Sequence, residues 1–242
     1  IFKRDKAMID GYAGFTFNEK RTRALGAVIG RDRLRVSSFG IDFQSADEQG
    51  PWELGESWYF GLPFHDEQTA LTGRQAGTSF SKFNVQLKRH QKLPWNTHGV
   101  VNVRGQWTPD ALTSQEEFFL GGANSIRGYP ESDYGGDVGF LTNLEYWVSP
   151  YFLPESWKIM NSPQPIKKQL SFIFFLDHGY GHLLNPSATE RVSRNLLGVG
   201  AGINFQFNEN LETDFSWGFP LGDLPLTETG HSQYYFKIRS NF

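Results

Sequence analysis

The 242-residue sequence contains no cysteine. Disulfides, thiolate nucleophiles and cysteine metal sites are thereby excluded. It also lacks any run near the roughly 18 apolar residues that a membrane-crossing helix needs. With a mean hydropathy of -0.46, that excludes a helical membrane protein. An excess of basic charge is missing too. Its 23 lysines and arginines against 26 acidic residues leave a net charge of -3, so nucleic acid is not expected as a partner. There is no tandem repeat and no low-complexity tail. The histidines His65, His90, His98, His178, His182 and His231 show no ligand pattern: His178 and His182 sit at strand–loop spacing, not on one helical face, so no metal site is expected. No Gly-x-Ser-x-Gly elbow accompanies the serines, and Gly198, Gly200 and Gly202 alternate within a strand instead of opening a helix at a phosphate. The expectation is a chain that is not an enzyme and carries no cofactor.

What is abundant is aromatic side chains, at 16% of residues. Set beside a negative mean hydropathy, this means that large apolar groups are interleaved with polar ones, as in a sheet with one oily and one wet face. The last third is clearest. Leu170, Phe172, Phe174 and Leu176 alternate with Ser171, Ile173, Phe175, Asp177 and Gly179; Leu197 to Phe207 alternates with glycines, Asn204 and Gln206. Leu211 to Phe219 and Gln233 to Phe242 repeat the pattern, as do Ser79 to Arg89, Thr97 to Thr108 and Val138 to Val148. Five weaker candidates precede these: Tyr12 to Asn18, Thr22 to Arg31, Leu34 to Gln44, Trp58 to Pro63 and Gln68 to Ala76. Leu34 and Val36 fall out of phase with Phe39, Ile41 and Phe43, which predicts a bulge or a misplaced strand boundary near Ser37 or Ser38. Trp52 to Trp58 offers a single helical turn.

The clearer strands approach the roughly 9–11 residues that cross a bilayer on a tilt, longer than the usual strand of a soluble sandwich. The fold class is therefore all-β: a transmembrane antiparallel β-barrel of about 12 strands. Asn208 to Asn210 and Gln91 to Asn96 are short and turn-like, whereas Pro109 to Asp137, Ser149 to Lys168, Leu183 to Arg194 and Gly222 to Ser232 are long. Short periplasmic turns alternating with long outer loops suit a barrel. Trp107, Trp147 and Trp217 lie near strand ends, where aromatic-belt anchors are expected.

The longest connection contains Phe119-Leu120-Gly121-Gly122-Ala123-Asn124-Ser125-Ile126-Arg127-Gly128-Tyr129, then Gly135-Gly136-Asp137-Val138-Gly139. Phe175-Leu176-Asp177-His178-Gly179 follows on the strand after next. Together they resemble the two-partner-secretion transporters, the haemolysin secretion/activation proteins, within the superfamily that includes the outer-membrane protein insertases. In that superfamily a Val-Arg-Gly-Tyr or Val-Arg-Gly-Phe tetrad tips a long loop folded back into the barrel lumen. Here the tetrad is Ile126-Arg127-Gly128-Tyr129, after Gly121 and Gly122, and the later Gly-Asp-x-Gly favours the secretion branch. The terminal segment, with Tyr234, Phe236, Ile238 and Phe242 in one phase, resembles the C-terminal β-signal of outer-membrane proteins.

By parity Phe175, Asp177, Gly179 and Glu145 face inward, so Arg127 is expected near Asp177 with Glu145 as a second acceptor. A charge-assisted contact of this kind is worth about 1.5–3 kcal/mol where water is partly excluded. The resemblance implies an integral outer-membrane protein, with residues 1–242 as barrel and 109–137 as lumenal loop. It implies sixteen strands in the family barrel, five of them after the loop. It also implies POTRA domains outside this chain, which would be either the C-terminal part of such a barrel or a smaller barrel. The implied activity is export of an unfolded adhesin or haemolysin without ATP. The implied surroundings are outer-membrane lipid and lipopolysaccharide, with the barrel assembly machinery acting during biogenesis. The alternatives are an outer-membrane insertase, or a barrel that anchors or exports an upstream patatin-like enzyme.

Overall fold

Alternating side chains become strands wherever one face can be buried and the other left to a different solvent. The computed structural model describes residues 7–24, 27–63, 76–159, 164–208, 210–223 and 231–240. Its strands are β1 (Met8–Ala24), β2 (Ala27–Asp47), β3 (Gly50–Gly61), β4 (Phe80–Leu93), β5 (Thr97–Trp107), β6 (Phe118–Leu120), β7 (Tyr134–Gly136), β8 (Val138–Val148), β9 (Leu170–His182), β10 (Ser193–Gln206), β11 (Leu211–Pro220) and β12 (Gln233–Ser240). All but β6 and β7 join one antiparallel sheet in the order β1-β2-β3-β4-β5-β8-β9-β10-β11-β12. The short β6 and β7 pair with each other. One helical turn, α1 (Ile166–Gln169), precedes β9.

Parity divides the sheet as expected. Phe174, Leu176, Phe215, Trp217, Tyr234, Phe236 and Ile238 are exposed on the outer face. Ile173, Phe175, Asp177, Arg194 and Leu196 are buried on the inner one. Outer aromatics stack across strands, Phe39 on Trp58 at 5.1 Å and Trp217 on Tyr234 at 5.5 Å. No second sheet covers them among the described residues. Phe242 lies outside the described residues.

Several expectations for the first half are corrected. Among the described residues ten strands form the sheet where about twelve were expected, because three long strands, β1 to β3, stand where five candidates were read before Ser79. Thr22 to Arg31 straddles the β1–β2 hairpin, and Gln68 to Ala76 lies outside the described residues apart from Ala76, which is not in a strand. Trp52 to Trp58 is strand within β3, not a helical turn. No bulge occurs near Ser37, since Phe15 faces Ser37 and Gly14 faces Ser38 without a shift. Leu34 and Val36 simply stay on the inner face, where they pack with Phe80 and Leu112. The phase is constant while the apolar residues change sides.

Two connections of β2–β3 and β4–β5 are tight, and both lie at the rim that also holds the 207–210 turn. The 149–169 connection shares that rim, so long and short connections do not alternate strictly. Trp107 and Trp217 point outward, 59% and 40% exposed. Trp147 does not: it shares the inward parity of Glu145, donates Nε1 to Glu145 Oε2 at 2.8 Å and stacks on His98 at 5.2 Å. Its phase, not its nearness to a strand end, decides its side.

The 108–137 connection lies against the inner face. Lys20 Nζ on β1 donates to Ser114 Oγ at 3.0 Å, and Tyr235 on β12 contacts Gly128 at 3.0 Å, so the two edge strands of the sheet hold one segment between them.

Candidate functional site

The β6–β7 hairpin carries the tip of this connection down into the concavity. Its apolar residues Leu120, Ile126, Tyr129 and Tyr134 bury themselves against Leu141, Leu183 and Leu196. That cluster is one of two small apolar cores on the inner face, the other being that of Leu34, Val36, Phe80 and Leu112, and it fixes where the tip comes to rest. Gly121, Gly122 and Gly128 have φ of 105°, 98° and 99°, in the left-handed half of the map that favours glycine.

At the tip Arg127 meets the wall. Its Nε donates to Asp177 Oδ2 at 2.7 Å and its second terminal nitrogen to Asp177 Oδ1 at 2.8 Å. The remaining terminal nitrogen donates to Glu145 Oε1 at 2.7 Å, and the Arg127 backbone N–H also reaches Asp177 Oδ2 at 3.0 Å. The guanidinium lies over the Phe175 ring at 3.6 Å, a cation–π contact that covers its face while the carboxylates take its edge. Asp177 is fully buried. It also accepts Asn143 Nδ2 at 2.9 Å. Asn143 donates to the Ser125 carbonyl as well, at 2.6 Å, and Asn102 donates to Asn143 Oδ1 at 3.0 Å.

Burial by itself would weaken the Arg127 base, but the carboxylates of Asp177 and Glu145 outweigh it and raise its affinity for the proton. The phenol of Tyr134 is pushed up to about 12, mainly by burial and next by Glu117. It remains a donor, to the carbonyls of Arg191 at 2.9 Å and Val192 at 3.1 Å.

Each member of the Phe-x-Asp-x-Gly run thus has a contact. Phe175 stacks, Asp177 accepts, and Gly179 leaves the space that Leu120 and Ile126 enter, where a Cβ would stand 2.9 Å and 3.0 Å from them. Tyr129 takes its hydroxyl to β10 and to the β11–β12 connection, accepting from Leu197 N at 3.3 Å and from Gly222 N at 3.1 Å. The structure brings together Ile126, Arg127, Gly128, Tyr129, Glu145, Phe175, Asp177 and Gly179. Tyr234, Phe236 and Ile238 stand apart on the outer face.

Other contacts carry no motif in the sequence. Asp133 and Arg194 form a fully buried ion pair at 2.8 Å, and Lys82 pairs with Glu116 at 2.8 Å near the base of the loop. Asp137 is fully buried and accepts the N–H groups of Leu112 at 2.8 Å and Leu184 at 2.6 Å. Inward parity was the available signal for Asn143 and Arg194. No pattern marks which loop residues they meet. Among the described residues no group of three or more His, Asp or Glu is placed to hold a metal, and His65 lies outside them.

Comparison with known proteins adds the following. The family model described as haemolysin secretion/activation protein ShlB/FhaC/HecB matches residues 1–205. Two curated relatives, each an outer membrane transporter CdiB, come from Escherichia coli and from Escherichia coli O6:K15:H31 (strain 536 / UPEC). Both are 23% identical over 188 residues, covering 78% of this chain and 29% of the relative. Among solved structures, CdiB from Escherichia coli superposes with a TM-score of 0.73 at 19% identity, covering 99% of this chain and 43% of that one. CdiB from Acinetobacter baumannii gives 0.71 at 17%, covering 99% and 40%. At such identities the superpositions show a shared fold. The chain spans well under half the length of each of these relatives.

Proposed function

The chain belongs to the haemolysin secretion/activation protein family ShlB/FhaC/HecB, and from that premise we propose that it supplies wall and loop to an outer-membrane barrel exporting an unfolded partner protein. The sheet presents apolar side chains to lipid and polar ones to a lumen. A polypeptide crossing such a lumen needs no nucleotide, because folding of the partner outside withdraws it from the equilibrium. Residues 109–137 serve as the lumenal loop that lies in the path and must shift as the partner passes.

The observation that carries this reading is the Arg127 clamp on Asp177 and Glu145. A buried ion pair adds little net stability, yet removing one partner costs about 3–5 kcal/mol because the other charge is stranded. The clamp therefore selects one loop position over its neighbours more than it strengthens the barrel. Membership of this family sets the secretion reading ahead of the insertase reading, which shares the loop tetrad. The secreted partner, the lipid and lipopolysaccharide contacts and the use of the barrel assembly machinery belong to the same proposal.

The test is Arg127→Ala in the full-length transporter. Export of the partner into the medium is expected to fall several-fold while the barrel keeps its heat-modifiable migration in gels. Export at the wild-type level would overturn the gating role of the loop.

A further inference from the structure

We infer that Tyr235 is a second positioning residue for the lumenal loop, gripping its backbone and tying the tip to the last strand of the sheet. The inference deepens the proposed function and rests on its reading of the loop as a movable element. Tyr234, Phe236 and Ile238 of β12 face outward. Tyr235 has the opposite parity, and its hydroxyl reaches across the inner face. It accepts from Gly128 N at 3.0 Å and donates to the Tyr129 carbonyl at 2.8 Å. Both the donor and the acceptor capacity of one phenol are spent on two consecutive residues of the tip.

The grip adds a second hold on the backbone of the tip. Asp177 takes the Arg127 N–H as well as its guanidinium. Tyr235 takes the Gly128 N–H and the Tyr129 carbonyl from the far side. The two holds stand on opposite sides of the tip, Asp177 on β9 and Tyr235 on β12, three strand spacings apart, or about 14 Å along the wall. Between them β10 and β11 pass beneath the tip with Gly198 and Gly218. A Cβ on Gly198 would overlap the Arg127 carbonyl oxygen, and one on Gly218 would lie 2.6 Å from Gly128 N. Without side chains in that floor the tip lies flat on the wall, low enough for a tyrosine of an edge strand to reach it. The loop consequently cannot leave its seat without breaking its bonds to β12.

Hydrogen exchange read by mass spectrometry on the full-length transporter in lipid nanodiscs tests this. Tyr235→Phe keeps the ring and removes the hydroxyl. Tyr234→Phe removes a hydroxyl from the same strand on the outer face, and Asp177→Asn loosens the Arg127 side of the clamp. Exchange in a peptide spanning 121–130 is expected to rise about tenfold in Tyr235→Phe, the effect of leaving one buried donor and one acceptor underbonded. It should be unchanged in Tyr234→Phe, and a β9 peptide should keep wild-type protection in both. If Asp177→Asn raises exchange at the tip and Tyr235→Phe does not, Tyr235 has no positioning role and the movable-loop reading survives. If neither raises it, both fall. Should Tyr235→Phe fail to insert, the wild-type protein still decides: a Gly128 amide that exchanges freely overturns the inference.

Discussion

Around Arg127 the chemistry is set by how completely each hydrogen-bonding group is used. The guanidinium edge is taken by two carboxylates and its face by Phe175. The backbone beneath it rests on Gly198, where any side chain would occupy the position of the Arg127 carbonyl oxygen. Gly198→Ala is therefore expected to lift the tip by a backbone clash that no rotamer relieves, at about 1–3 kcal/mol. The measurement is protection of the Arg127 amide, which donates to Asp177 at 3.0 Å; it should be lost while the barrel still inserts. Retained protection would show that the wall can yield. Motif and parity pointed to Arg127, Asp177 and Glu145 together, because charge and inward phase are both written along the chain. Asn143 and Tyr235 were not legible as loop contacts, since an inward amide or phenol looks like any other polar lumen residue until register is known.

The loop behaves as a folded element with several fastenings, not as a strap held at one point. Asp137, at the junction of β7 and β8, accepts N–H groups from both the 108–117 stretch and the 183–192 connection. A carboxylate can serve both, and neither amide has to turn. Asp137→Asn replaces one acceptor oxygen by a donor, which faces an N–H and costs about 1–3 kcal/mol. Both connections are expected to become protease-sensitive together, with the Arg127–Asp177 contact intact; loosening of one alone would refute their coupling through Asp137. The strands from β4 onward could be read from sequence because each keeps a run of apolar residues in the outward phase. The bounds of the three before it could not. Leu34 and Val36 face inward to cover Leu112 of the loop, so apolarity there follows the loop contact and mimics a broken period. The β6–β7 hairpin, with three residues a side, is too short to show any period at all.

Across the molecule the sheet separates two solvents. Phe236 is 67% exposed on the outer face, and its neighbour Lys237 points the other way. Phe236→Arg is expected to cost about 2–4 kcal/mol if it lies near the bilayer midplane. It should reduce the heat-modifiable, folded fraction in the membrane, whereas Lys237→Gln should leave that fraction unchanged. Equal behaviour of the two variants would refute the assignment of faces. That assignment was already present in the order of residues, because a period of two needs only neighbours along one strand to be expressed. The meeting of Lys20 with Ser114, of Asp133 with Arg194 and of Tyr235 with Gly128 joins residues separated by 94, 61 and 107 positions. Such pairs exist only once the strands have taken their register and curled around the hairpin, because local alternation says which way a side chain points and nothing about how far away its partner stands.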